Sequence, residues 1–381
     1  MVPMIPFFQK TKLCQFVIFL LLGCTEPVAP DFQFEEGLIF IEGFATTQPG
    51  ASYVTVSESV FEVRQYTVRF TSGASVSFMN LETGEQVVLS EVDGQYVPAS
   101  DFVVEESEEW QLMVVMPNGV RYASTPEKVL PTVPITNLEV NYDPELEFRE
   151  FGGGQFIPGH RALVSFNDPS NRENFYYWTY RTLENLDFCE QCFDGYFRDG
   201  ECVVADQVGG LPPYYLYLCD TECWRIRYPE KLSIFNDRFT NGKTVTDLVV
   251  GNLPLYTNEN LVLEVRQFSI NAQAYDYYKI LKDIVENNAG FNAPPPAPLL
   301  GNMSNPDNPD EQVFGLFTAA SSSTATIFVD RSAIGEPTLE SKDAVIFEEM
   351  FDPVPEPLTT FVPCLEGRFR TGIRPGAWNT P

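Results

Sequence analysis

From residue 38 to residue 128 the chain is cut into short strand-length runs by turn residues, and this pattern confines it to β architectures. Residues 38–43, 53–56, 66–70, 75–79, 86–89 and 110–115 are rich in β-branched, aromatic and other apolar side chains. Gly73, Thr83-Gly84, Asp93-Gly94 and Asn118-Gly119 separate them. Asn-Gly and Asp-Gly accept the positive φ angles of tight hairpin turns at little cost. Strands of this length and spacing predict an immunoglobulin- or transthyretin-like β-sandwich over residues 37–130.

The Pro-punctuated stretch 125–135 predicts a crossing into a second domain. Strand patterns resume at 162–166, 175–181, 231–235, 261–268, 313–317 and 325–329. One helix is expected near 271–288, because Ala274, Tyr278, Leu281 and Val285 recur at helical spacing. Asn271 or Ser269 suits its start and Gly290 lies just past its end. The Pro-rich segment 293–298 reads as a stiff loop. The fold class is therefore mainly β: a sandwich, then a larger β-sandwich domain over 131–381 carrying one packed helix and a Cys-rich insert at 187–225.

Composition narrows the partners. Hydrophobic residues at 44% and aromatic residues at 14% suffice for real cores. A formal charge of −29, from 53 acids against 24 bases, repels phosphate backbones and excludes nucleic acid as a partner. His160 is the only histidine, so no multi-His metal site exists. Its setting, Pro158-Gly159-His160-Arg161, reads as a turn entering a strand, with the ring at the surface or half-buried.

The first residues read as an address. Lys10 and Lys12 precede the apolar run 16–22, and Leu21-Leu22-Gly23-Cys24 matches a bacterial lipobox. In that motif the Cys24 thiol receives diacylglycerol before cleavage, which makes residues 1–23 a signal peptide and adds fatty acyl (palmitate) groups. An ordinary secretory signal is the alternative. Acyl chains contribute about 0.8 kcal/mol per buried CH₂, so the acylated Cys24 anchors the chain to a bilayer. Residues 24–36, with Pro27 and Pro30, read as a tether.

Export changes what the cysteines mean. After Cys14 and Cys24, six remain: Cys189, Cys192, Cys202, Cys219, Cys223 and Cys364. An even set in an oxidising compartment predicts disulfides, whose pairing the spacing leaves open. Cys364 must return from the far C-terminus to meet the others. A zinc site on Cys189-x-x-Cys192 and Cys219-x-x-x-Cys223, or a redox pair at Cys189/Cys192, are the alternatives.

No phosphate-cradling loop is expected, since Gly152-Gly153-Gly154 lacks a following Lys-Ser/Thr. Nucleophile-elbow and metalloprotease motifs are missing, and no catalytic residue or cofactor is expected. Asp307, Asp310 and Glu311 form a weak candidate for Ca²⁺, without the EF-hand order. Asp194-Gly195 and Asp199-Gly200 read as hairpin turns.

Taken together, these motifs resemble a known family, domain of unknown function 4249. The resemblance rests on the lipobox Cys24 and its acidic-Pro tether, the opening strand 38–43, Tyr176-Tyr177-Trp178, and Cys223-Trp224. It continues through 263–269 into Ala274-Tyr275, then 298–302, 314–317, and the tail from Cys364 to Arg374-Pro375-Gly376-Ala377-Trp378. The family pattern expects a second Cys near Cys364, which is missing, so its disulfides do not carry over intact. Cys189, Cys192 and the insert around Cys202 are where the missing partner is expected. The resemblance implies a Bacteroidota outer-membrane lipoprotein, surface-facing and encoded beside SusC-like TonB-dependent transporters. It implies a non-enzymatic accessory that captures or gates substrate. A free-standing adhesin or glycan-binding module is the alternative, and a hydrolase using a carboxylate pair is a further one. Docking is expected through loops of the second domain, near the acids Asp194, Asp199, Asp307 and Asp310.

Overall fold

The computed structural model describes residues 36–62, 65–150, 153–170, 172–204, 214–287, 299–340, 344–348 and 360–378. The signal peptide, Cys24, nearly all of the tether, Gly152, Gly290 and the 293–298 loop lie outside the described residues. The architecture is mainly β, with one helix among the described residues.

Alternation builds the first sandwich. Strand Ile39–Thr46 pairs antiparallel with Tyr53–Glu62, from Ile39↔Glu58 to Phe44↔Tyr53. Strands Ser75–Asn80, Glu109–Val115 and Arg121–Ser124 form the facing sheet. Every second residue points inward, so Ile41, Val54, Val56, Val76, Phe78, Leu112 and Val114 make a dry core. The Asn118-Gly119 turn closes the last hairpin as the sequence predicts, with Gly119 at φ 87°.

In the second sandwich, Phe175–Asn185, Leu261–Ile270 and Phe317–Val329 face a sheet of Ile135–Arg149, Gln155–Asn167 and Thr244–Pro254. Phe166, Tyr176, Trp178, Leu263 and Val265 fill the space between. Ile39–Thr46 runs parallel to Phe317–Val329, with Gly43↔Phe317 through Thr46↔Ala320, so one sheet serves both sandwiches. The expected 130/131 boundary is thus bridged, and Met303, Val313, Phe317 and Ala319 lie in the first core. At this junction Gly315 has φ 103°, and a Cβ there would sit 2.0 Å from the Ile41 carbonyl oxygen. Only glycine fits.

Helix α1 (Ala272–Asn287) covers part of the outer face of this shared sheet. Asn271 Oδ1 accepts the Ala274 N–H at 2.8 Å, the expected N-cap. Ala274 and Tyr278 are buried against Phe44 and Phe268, and Tyr278 stacks on Tyr177 with ring centroids 4.7 Å apart. The expected stripe stops at Leu281, because Val285 is exposed.

The Cys-rich segment folds into two small sheets. Phe188–Phe193 pairs with Tyr214–Cys219, which takes Phe361–Val362 as a parallel partner; Gly195–Arg198 pairs with Glu201–Val204. The disulfides are Cys189–Cys219, Cys192–Cys202 and Cys223–Cys364. Cys364 therefore joins the 189–223 cluster as expected, but at Cys223 and not at the Cys189/Cys192 pair or the Cys202 insert. Proximity in the fold decides this: Tyr214–Cys219 and Trp224–Arg227 each accept a piece of the returning tail as a neighbouring strand.

His160 also departs from expectation. It lies inside strand Gln155–Asn167, is 3% exposed, and packs edge-on to Tyr142. Burial and the nearby Arg331 charge push its pKa down to about 4, so the imidazole is neutral at pH 7. Among the described residues, no helix is long and apolar enough to cross a membrane.

Candidate functional site

The outer face of the second sandwich changes character along its strands. At one end Tyr177 and Phe268 lie beneath the helix, and at the other Leu183 and Val262 lie in the cluster with Trp378. Between them the same alternation brings up polar residues: Thr179 opposite Arg266, Arg181 opposite Glu264, and Glu264 opposite Thr326. Such residues mark a stretch of the antiparallel sheet that is not packed under an apolar layer.

The C-terminal tail supplies one wall. Cys223–Cys364 ties the start of the tail to the sheet, and Arg370–Thr371 pairs antiparallel with Trp224-Arg225. Trp378 then packs edge-on to Phe328 at 5.4 Å and Trp224 at 6.3 Å. A cleft of 620 Å³ remains between this strap and the sheet. Its apolar surface comes from Leu183, Ile226, Val262 and Ile373, and its charged groups are Arg181, Arg368, Arg374, Glu264 and Glu366.

The two kinds of charge are not equally committed. Glu264 accepts from Arg181 Nη2 at 3.0 Å and from Arg266 Nη2 at 2.6 Å. Burial pushes its carboxyl up, but the two guanidiniums outweigh this and hold it below the ordinary range. Glu366 accepts the Gly372 N–H at 2.6 Å. Arg368, by contrast, forms no guanidinium hydrogen bond to a described residue. It lies over Tyr228 and Phe369, 5.8 and 5.4 Å from the ring centroids. Arg374 stands 3.8 Å from Glu222, both well exposed, where such a pair adds little.

A second hollow, of 1330 Å³, opens on the opposite side of Trp224–Arg227. Its arginines are spoken for: Arg225 and Arg227 bind Glu340, Arg227 also binds Glu184, and Arg370 donates to the Cys189 carbonyl. Asp187, Glu190 and Glu259 add negative charge to its rim. This hollow has the makings of a structural seam.

The sites expected from sequence are distributed elsewhere. Sγ atoms of Cys189, Cys219 and Cys223 lie within 4.8 Å of one another, yet each is in a disulfide, so the thiolates that zinc requires are not available. Cys189 and Cys192 do not pair with each other, which removes the redox alternative. In the proposed Ca²⁺ loop, Asp307 makes a two-point pair with Arg121, while Glu311 accepts from Tyr122 and Asn305. Asp194 and Asp199 sit in turns with φ of 49° and 51°; Asp199-Gly200 closes a hairpin as expected, whereas Asp194 is a corner between strands of different sheets. Arg181, Arg368 and Arg374 were not singled out in the sequence. The polar alternation of Thr179/Arg181 and Glu264/Arg266 was the available signal for half of the cleft; nothing local places the tail against it.

A strap-walled cleft on a mainly β, disulfide-braced fold is what the described residues present. Residues 25–326 match the family model Domain of unknown function (DUF4249), and the chain belongs to that family. Comparison with curated proteins and with solved structures gives no match.

Proposed function

We propose that this chain is a non-enzymatic, lipid-anchored outer-membrane lipoprotein, facing the cell surface, that captures or gates a small substrate for a SusC-like TonB-dependent barrel. The observation that carries the reading is the 620 Å³ cleft, of a size suited to a small molecule and built on sheet residues with a covalently tied wall. A wall fixed in advance loses little entropy on binding, so contact energy is kept as affinity. Glu264 is held ionised by two arginines, so it is a poor general acid, and its lone pairs are engaged in holding those arginines in place. The lipobox at Cys24 and membership of the family support the anchor and the barrel partner.

Co-purification of the native, full-length lipoprotein from its own membranes is the test. A barrel recovered with it in stoichiometric amount is expected; the lipoprotein recovered alone overturns the partnership. Asp194→Asn and Asp199→Asn remove charge while keeping a residue that tolerates positive φ, so they probe the docking loops without unfolding them. A second reading, a surface glycan-binding module, is favoured by the exposed rings of Tyr228 and Phe369 beside the cleft. Binding on a glycan array that is lost in Tyr228→Ala distinguishes it.

A further inference from the structure

We propose that the cleft under the C-terminal strap takes an amphipathic anion: an oxyanion head held by Arg368 and Arg181, with an apolar body on Leu183, Ile226 and Val262. The proposal rests on the capture reading and names its ligand class.

The argument is one of local charge against global charge. In a chain of formal charge −29, a hollow of average composition would be acidic. Here three arginines line one cavity, and Arg266 stands behind them on the same Glu264. Of the two carboxylates of the lining, Glu264 is already matched by two guanidiniums, while Glu366 accepts one backbone N–H. Glu264 has no strong demand left for a cationic ligand. The guanidinium of Arg368 has no hydrogen-bond acceptor among the described residues, and its contacts with the Tyr228 and Phe369 rings do not use up its N–H groups. Guanidinium forks match carboxylate, sulfonate and phosphate geometry, and they discriminate by charge and shape together.

The apolar part follows from the strand alternation. Leu183 and Val262 each stand two residues along their strands from Arg181 and Glu264, and Ile226 pairs with Leu183 on the next strand, so an apolar shelf adjoins the charged row about 7 Å along the sheet. Ile373 in the strap is 74% exposed beside that shelf and extends its apolar surface. A bare inorganic anion leaves this shelf wet, and a neutral apolar molecule leaves Arg368 unpaired. The other large hollow has apolar lining too, but its arginines are paired internally, so it offers no uncommitted guanidinium for an anionic head.

The test uses the full mature chain carrying Cys24→Ala, which leaves every described residue in place and avoids detergent. Three probes of equal size are titrated calorimetrically: naphthalene-2-sulfonate, 2-naphthalenemethanol and 2-naphthylmethylammonium. Sulfonate is expected to bind at least about tenfold tighter than the neutral probe, with the cation weakest. Inorganic sulfate should compete poorly. Arg368→Ala is expected to weaken sulfonate binding by about tenfold while unfolding is nearly unchanged, because this side chain is exposed and donates no side-chain hydrogen bond to a described residue. Ile373→Asp should weaken all aromatic probes. Equal affinity for sulfonate and alcohol, or an Arg368→Ala variant that binds as wild type, overturns the proposal. So does failure of all three probes to bind. None of these outcomes touches barrel co-purification, which reports on the proposed function separately.

Discussion

Arg331 and Glu184 form an enclosed ion pair, Nη1 to Oε1 at 3.0 Å, with side chains 1% and 3% exposed. Glu184 also accepts from Arg227 Nε at 3.1 Å, and Arg227 continues to Glu340 at 2.8 Å. This chain of charges connects strand Phe175–Asn185 to the segment after Phe317–Val329 and forms one wall of the second hollow. Removing one charge strands another where water cannot reach it. Glu184→Gln is expected to cost about 3–5 kcal/mol, because Arg331 is left buried without a full counter-charge. A double variant, Glu184→Gln with Arg331→Met, should recover much of that loss. Chemical denaturation of the three variants measures it, and additive losses in the double variant would contradict the pairing.

The disulfides should rank by the length of chain they close. Cys223–Cys364 spans 141 residues, Cys189–Cys219 spans 30 and Cys192–Cys202 spans 10. Loop-closure entropy gives about 5, about 4 and about 3 kcal/mol for these spans. Paired Cys→Ser variants, one disulfide at a time, are expected to lose stability in that order. Loss of Cys223–Cys364 should also expose Trp378, which packs on Trp224, Phe328 and the neighbouring Leu183, Ile226 and Val262 cluster, and its fluorescence should shift to the red.

How much of this was legible in the sequence depends on how local the cause is. The first sandwich was readable because Asp-Gly and Asn-Gly turns and period-two alternation act over a few residues. Helix α1 was readable for the same reason, down to its Asn271 cap. The strand Ile135–Arg149 was missed: Asp143, Pro144, Glu145 and Glu147 break the apolar pattern, and the structure absorbs Pro144 in a register shift between Asp143 and Glu147. Three disulfides followed from an even count in an exported chain, but Cys364 finds Cys223 only through strand pairing more than a hundred residues away. His160 was misplaced because Pro158-Gly159 reads as a turn. Here Gly159 instead allows close approach, since a Cβ would lie 2.4 Å from the Leu253 carbonyl oxygen. The cleft shares this difficulty. Its floor is visible as polar alternation, whereas Arg368 and Ile373 arrive with a tail whose position is a property of the whole fold.

The anchor has a direct test. Cys24 is the sole lipobox thiol, so Cys24→Ala is expected to abolish incorporation of labelled palmitate and to release the protein from membranes. Unchanged labelling and unchanged partition in the variant would defeat the lipoprotein reading. An unlabelled wild-type chain cleaved after another residue would point instead to an ordinary secretory signal.

Glu127 joins three elements and should give the fold a pH dependence of its own. It is 3% exposed, at the end of the first sandwich. Its carboxylate accepts from Asn271 Nδ2 at 2.6 Å and Asn302 Nδ2 at 2.8 Å. Both amides are locked in orientation, because Asn271 Oδ1 caps the helix and Asn302 Oδ1 accepts the Phe317 N–H. Burial pushes the carboxyl up to about 7, against the pull of these two hydrogen bonds. The unfolded chain, with an ordinary carboxyl near 4.5, loses this proton first as pH rises. Stability from this group is therefore full below pH 4.5 and is lost as pH climbs through about 7, by about 3 kcal/mol in all. Glu127→Gln should start lower at pH 5, by about 1 kcal/mol, since one face of the amide meets a locked Asn N–H. Its stability should then fall less than that of wild type up to pH 8, so the two urea-denaturation curves of ΔG against pH converge or cross. Parallel curves over this range would show that Glu127 does not titrate in the folded state as its burial requires.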